Sequence, residues 1–308
     1  VSKLEIIFKF LKNIDRRIIF LIIAIAVIVT LKAPMYLPLS VSKNANGFLG
    51  LLDAVQEGDP VIVSFDYAAS GEPELKPMAQ AILYRLFERK ARVFMMAFWD
   101  QGPGLADNTL NGKGQDEGII KKFERNNPGR KLEYGKDYIN LGYKVGASNV
   151  IIAMNKSVMD IFSKDNTGKP IEEFPIMKGV EKLKDFKRVF ALTGGNNGLL
   201  DIWLPFARQQ YQVPVCGGCT SVSAPQFYQY MQSKQLDGLL DGFKTAAELL
   251  KAIEYTDPAT GKKGDLLSKD IHRIADVQSV VHIIIIIFIL IANATYFYEK
   301  KYGRANNQ

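Results

Sequence analysis

The chain has 308 residues, 47% of them hydrophobic, with a net charge of +7, two cysteines and two histidines. So few histidines and cysteines argue against a zinc centre, which usually takes four protein ligands or three plus water. Basic tails supply part of the positive charge, so it points to anionic lipid headgroups and not to nucleic acid.

Residues 1–17 alternate Leu4, Ile6, Ile7, Phe8, Phe10 and Leu11 with Lys3, Lys9 and Lys12. The pattern predicts a basic amphipathic tail lying along a membrane surface. Ile18 to Leu31 is an uncharged apolar run. Its length, about 14 residues, also suits a signal-peptide core. Lys32 can snorkel, Ala33 to Leu37 extend the apolar character, and no small-x-small cleavage site follows. An uncleaved transmembrane helix is therefore expected over 18–37.

Residues 38–254 read as one α/β domain. Val61 to Phe65 predicts a first strand, and Leu75 to Phe87 recur at helical spacing, with Pro77 placed in the first turn. Val93 to Trp99 predicts a second strand, Glu117 to Arg125 a helix, Tyr138 to Tyr143 a third strand, and Val150 to Phe162 a helix. Val189 to Thr193 predicts a fourth strand and Leu199 to Tyr211 a helix kinked at Pro205. Val213 to Cys216 predicts a last strand, before helices at 226–231 and 236–253. Apolar strands alternating with amphipathic helices predict a parallel sheet of about five strands, Rossmann- or flavodoxin-like.

The polar stretch 255–276 reads as a linker. Val277 to Tyr298 has the length and apolarity of a second transmembrane helix, ending in Tyr296, Phe297 and Tyr298 beside Lys300 and Lys301. Asn293 either faces another helix or is hydrated near the headgroups. Residues 299–308 form a second short basic tail. Lysine and arginine at both outer flanks predict both termini in the cytoplasm and the central domain outside it.

Three stretches, VIVSFDYAASGEPELKPMAQAILYRLF at 61–87, KDYINLGYKVG at 136–146 and CTSVSAPQFYQYMQSKQLDGLLDGF at 219–243, are familiar together. In them the chain resembles an uncharacterised family of bacterial membrane-anchored proteins with a single α/β domain. That resemblance implies a bacterial inner membrane and this architecture, and it carries no catalytic residue with it.

Ligands in open parallel sheets bind beyond the carboxyl ends of the strands. The candidates there are Asp66 and Tyr67, then Asp100, then the loop Gly194, Gly195, Asn196, Asn197 and Gly198, then Thr220 and Ser221. The glycine loop opens a helix and can hold a small anion, or it is simply a tight turn. Asp66 and Asp100 side by side would suit magnesium or acid–base chemistry; aspartate is equally a loop and cap residue. Cys216 and Cys219 form a CxxC, open to a redox or structural disulfide reading. No GxGxxG follows the first strand and no histidine falls within the domain to serve Ser221 or Ser223. The sequence calls for no cofactor and no metal. It favours a non-enzymatic subunit of a membrane assembly, bound to lipid and to further copies or other membrane proteins. The alternative is an enzyme or small-anion-binding module at the strand ends.

Overall fold

The computed structural model describes residues 15–114, 116–195, 198–298 and 300. The tails at 1–14 and 301–308, Gln115, Glu299, and Asn196 and Asn197 lie outside the described residues. The chain divides into two compact units, one holding the segments up to Pro38 and from Ser268, the other Leu39–Leu267.

In the first unit, helix α1 (Arg16–Lys32) starts on Asp15, whose carboxylate accepts the Arg17 backbone N–H at 2.8 Å. It spans 17 residues, about 25 Å of rise, short of the roughly 30 Å of a bilayer core. The helix expected over 18–37 thus stops at Lys32, because Pro34 and Pro38 hold the following segment out of helical geometry. Only α11 (Lys269–Tyr298), with 30 residues, is long and apolar enough to cross a membrane among the described residues. It begins well inside the stretch read as linker.

Within this unit α1 and α11 pack together. Asp276, 1% exposed, accepts the backbone N–H groups of Tyr36 at 2.8 Å and Leu37 at 3.0 Å. His272 Nε2 lies 3.0 Å from the Leu37 carbonyl oxygen, and its ring stands edge-on to Tyr36. The segment leaving α1 is therefore fastened to the first turns of α11, so the two helices run antiparallel. Most of their Ile, Leu and Phe side chains remain exposed.

The second unit is a Rossmann-like α/β domain. Its parallel strands are β1 (Pro60–Asp66), β2 (Arg92–Ala97), β3 (Tyr138–Tyr143), β4 (Arg188–Thr193), β5 (Val215–Cys219) and β6 (Gly238–Asp241), in the order β3-β2-β1-β4-β5-β6. The sheet has six strands, one more than expected. β6 escaped notice because Leu239 and Leu240 continue the apolar spacing of the helix behind them. Gly242, at φ +101, ends the strand, so helix α10 covers only Phe243–Ala252. Polar residues 254–265 close into a hairpin of β7 (Glu254–Thr256) and β8 (Lys263–Asp265).

One face of the sheet carries α2 (Lys43–Asp53), α3 (Glu72–Glu88), α4 (Gly102–Asn111), α5 (Ile119–Asn126) and α10. The other carries α6 (Ala147–Met154), α7 (Val158–Ile161), α8 (Leu199–Gln210) and the segment around α9 (Tyr228–Gln232). α8 is wound wider than an α-helix: the Trp203 N–H reaches the Gly198 carbonyl five residues back at 2.9 Å. Pro205 inside it has no N–H to give, which a widened turn accommodates.

Alternation along β5 turns Val215 and Cys219 to the α8 face. Gly217 and Gly218 allow close packing, since a Cβ would come within 2.4 Å of Leu199 and 2.5 Å of Leu192 respectively.

Removing the Asp276 acceptor leaves two part-buried N–H groups without their partner, at a cost of about 1 kcal/mol. Asp276→Ala should therefore loosen residues 33–38, read as faster proteolysis there in mild detergent. Asp276→Asn, which keeps one acceptor oxygen, should fall between it and the native chain.

Candidate functional site

The strand order reverses between β1 and β4, so the loops leaving those two strands diverge and open a crevice. A cleft of about 580 Å³ lies there. It is lined after β1 by Asp66, Tyr67, Ala68, Ser70, Gly71 and Glu74, and after β2 by Trp99. Gly194 and Gly195 line it after β4, and Thr220 and Val222 after β5. Five residues singled out in the sequence, Asp66, Tyr67, Gly194, Gly195 and Thr220, meet in this one cleft.

Asp66 ends β1 on the α8 face, 4% exposed. Its Oδ2 accepts from Ser64 Oγ at 2.7 Å and Trp203 Nε1 at 3.0 Å, and its Oδ1 from the Phe98 N–H at 2.8 Å. Burial pushes this carboxyl up to about 6, against the three hydrogen bonds that favour the anion. With every donor supplied by the protein, Asp66 shapes the floor of the cleft and holds its walls together. Gly198, at φ +101, packs on it so closely that a Cβ would lie 2.7 Å from the Asp66 Cβ.

Glu74 sits in the first turn of α3. Its Oε2 accepts both the Ser221 backbone N–H at 2.8 Å and the Ser221 hydroxyl at 2.6 Å. This clamp joins the β1 and β5 loops. Gly242 backs it: a Cβ there would stand 2.0 Å from Ser221 Oγ and 3.1 Å from Glu74 Oε2. Thr220 Oγ1 lies 3.2 Å from Ser223 Oγ, both at the mouth of the β5 loop. Ser221 thus serves as a double donor to one carboxylate oxygen, bridging the two loops.

The Tyr67 ring is buried, and its hydroxyl has no hydrogen-bond partner among the described residues. Burial, with Glu72 nearby, raises its pKa. Trp99 is 36% exposed and Val222 is 88% exposed at the rim.

Other sequence candidates go elsewhere. Asp100 is exposed, accepts the Gln101 N–H at 2.9 Å and does not line the cleft, so it makes no carboxylate pair with Asp66. Gly198 supports Asp66 from behind. The two cysteines are free thiols inside β5, not at a strand-to-helix junction. Three residues apart on one strand, they are about 10 Å apart on opposite faces, beyond the reach of a disulfide. Burial pushes both thiols up to about 12, which makes them inert as nucleophiles. Arg188 Nη1 lies 3.4 Å from Cys216 Sγ and tempers that rise.

Glu74, Trp99, Ser64 and Trp203 were not among the sequence candidates. Glu74 looked like an ordinary acidic residue of a helix start, and its pairing with Ser221 joins positions 147 apart. Trp203 lay inside an apolar helix pattern, where a core role was the plain reading.

No protein-family model, curated protein or solved structure matches this chain.

The folded protein holds the Asp66 proton more tightly than the unfolded chain does. That carboxyl therefore favours folding below pH about 4, and the contribution is lost as the pH rises to about 6. A shift of this size corresponds to roughly 3 kcal/mol. Asp66→Asn should remove this component, so that melting temperature measured from pH 4 to 7 falls less steeply than in the native chain. An unchanged slope would show that the group does not titrate in this window.

Proposed function

We propose that this chain is a membrane-anchored binding protein whose α/β domain takes a small ligand in the cleft between the β1 and β4 strand ends. The observation that carries this reading is the convergence of four strand-end loops on one cavity at the strand-order reversal. The volume lies within the usual range for small-molecule sites, roughly 300–1,000 Å³. The walls are cross-braced by Asp66 and by the Glu74–Ser221 clamp, which gives the preformed geometry that binding favours. The cleft lining contains no histidine, lysine, arginine or cysteine among the described residues, so it assembles no cysteine nucleophile and no serine paired with a histidine or lysine base. Binding, not turnover, fits those residues best.

The same reading places the chain in a bacterial inner membrane through α11, with α1 packed beside it as a second, shorter span. Both termini lie in the cytoplasm and the domain outside it. The antiparallel pairing of α1 and α11 and the basic residues beyond each helix support that topology. Self-association, or docking on other membrane proteins, is a second role. It is favoured by the exposed apolar faces of α1 and α11, by exposed Tyr143 at the end of edge strand β3 and by exposed Val145 just past it. A strict monomer in mild detergent with no co-purifying partner would count against that second role.

Gly195 offers a clean test of the cleft, because a Cβ there meets nothing within 4 Å among the described residues. In a metabolite screen on the full chain in mild detergent, a ligand at 100 times its Kd should add about 2.7 kcal/mol, or roughly 5 °C. Gly195→Val should abolish that rise while melting as the native protein does without ligand. Equal responses from both proteins, or none from the native chain, would refute the cleft as a binding site.

Topology is checked separately. Lys262 is exposed in the β7–β8 turn and both native thiols are buried. Lys262→Cys should react with a membrane-impermeant maleimide in intact bacterial cells. Labelling only after lysis would place the domain on the cytoplasmic side.

A further inference from the structure

We infer that the cleft selects a small organic cation, an amine or guanidine, through the Glu74 carboxylate and the Trp99 ring; this rests on the cleft being the binding site. Glu74 and Asp66 supply its carboxyl groups, and no basic side chain lines it among the described residues. An anion entering it would meet like charge without a counter-ion.

Two backbone N–H groups of the glycine loop already face acceptors of the chain. The Gly195 N–H lies 3.4 Å from Thr193 Oγ1, and the Gly194 N–H lies 3.4 Å from the Asp66 carbonyl oxygen. The first turn of α3 carries Pro73, which has no N–H, together with Glu72 and Glu74. Its positive dipole end is thus already met by the chain's own carboxylates.

Glu74 is built for the opposite charge. Ser221 fastens one oxygen through two hydrogen bonds, which fixes the side chain in the cleft wall. Its other oxygen takes no hydrogen bond or ion pair among the described residues. The close approach of Gly242 covers the clamp from behind, and a partly enclosed carboxylate attracts a cation more strongly than one in open water. Trp99 at the rim supplies an aromatic face, the group best suited to hold a cation in contact. Asp66 adds negative charge from the floor without offering a contact of its own.

Three probes of equal chain length and different charge separate the possibilities: 1,4-diaminobutane, 1,4-butanediol and succinate. Binding to the full chain in mild detergent is followed by calorimetry and by the fluorescence of its two tryptophans. Diaminobutane should bind and the other two should not. Glu74→Gln should weaken diaminobutane by about tenfold or more, and Trp99→Leu by several-fold. Glu74→Lys should reverse the preference towards succinate, a gain that a merely destabilised fold would not produce. Gly195→Val should block diaminobutane. Butanediol or succinate binding as tightly as the diamine, and blocked by Gly195→Val, would overturn the charge selection and leave the cleft reading intact. Diamine binding that survives Gly195→Val would overturn both. No diamine binding, alongside another ligand blocked by Gly195→Val, would overturn the charge selection alone.

Discussion

The Asp66 carboxylate is the constraint on which the strand-end half of this domain depends. It lies at the end of β1, the central strand from which the sheet grows in both directions. Ser64 is on its own strand, Phe98 begins the loop after β2, and Trp203 belongs to α8, the crossover after β4. One buried group thus joins three parts of the chain, reinforcing the β1–β2 ladder and the contact between the Phe98 and Trp203 rings. Leaving that carboxylate without its donors would cost several kcal/mol, so the three partners fold as a set. The glycine at position 198 is a consequence: α8 can begin against Asp66 only where the residue has no Cβ and tolerates positive φ.

A second brace works at the other side of the crevice. The Glu74–Ser221 clamp spans from the start of α3 to the loop after β5, and Gly242 seals it. Between these two braces the loops cannot collapse onto one another, which explains why an open cleft persists at the strand-order reversal. The lower part of the domain is fixed by different means. There Arg188 and Arg208 pair with Asp237 at 2.6 and 3.0 Å, tying β4, α8 and the start of β6 at the edge away from the cleft.

Much of the fold was legible because its signals are local. β1, β3 and β4 are near-continuous apolar runs bounded by polar residues, and they lie within one residue of where the pattern puts them. α3 follows from its 3.6-residue spacing. The misreadings have physical causes. β6 is four residues long, too short for a period to separate it from an adjoining helix. β5 begins two residues late and runs through Gly217 and Gly218, residues that speak for a loop until the packing against Leu192 and Leu199 is seen. The CxxC looked like a junction for the same reason. In the site, strand-end position alone identified Asp66, Tyr67, Gly194, Gly195 and Thr220. Glu74 and Trp203 were invisible because their importance lies in bonds spanning more than 130 residues of chain.

The domain's own ends bear on how it is used. The Leu39 carbonyl accepts from Lys251 Nζ, and the Leu266 N–H donates to the Leu250 carbonyl at 3.1 Å. Both ends are therefore fastened to the last turns of α10. That helix leaves the sheet at the carboxyl end of β6 and runs back, so its last turns approach the amino edge of the strands. The cleft opens at the carboxyl edge. Asp66 and the Glu74 clamp lie at the carboxyl edge of the sheet and the Arg188–Asp237 pair at its amino edge, while both ends of the domain are fastened through α10 and not through the loops that form the cleft.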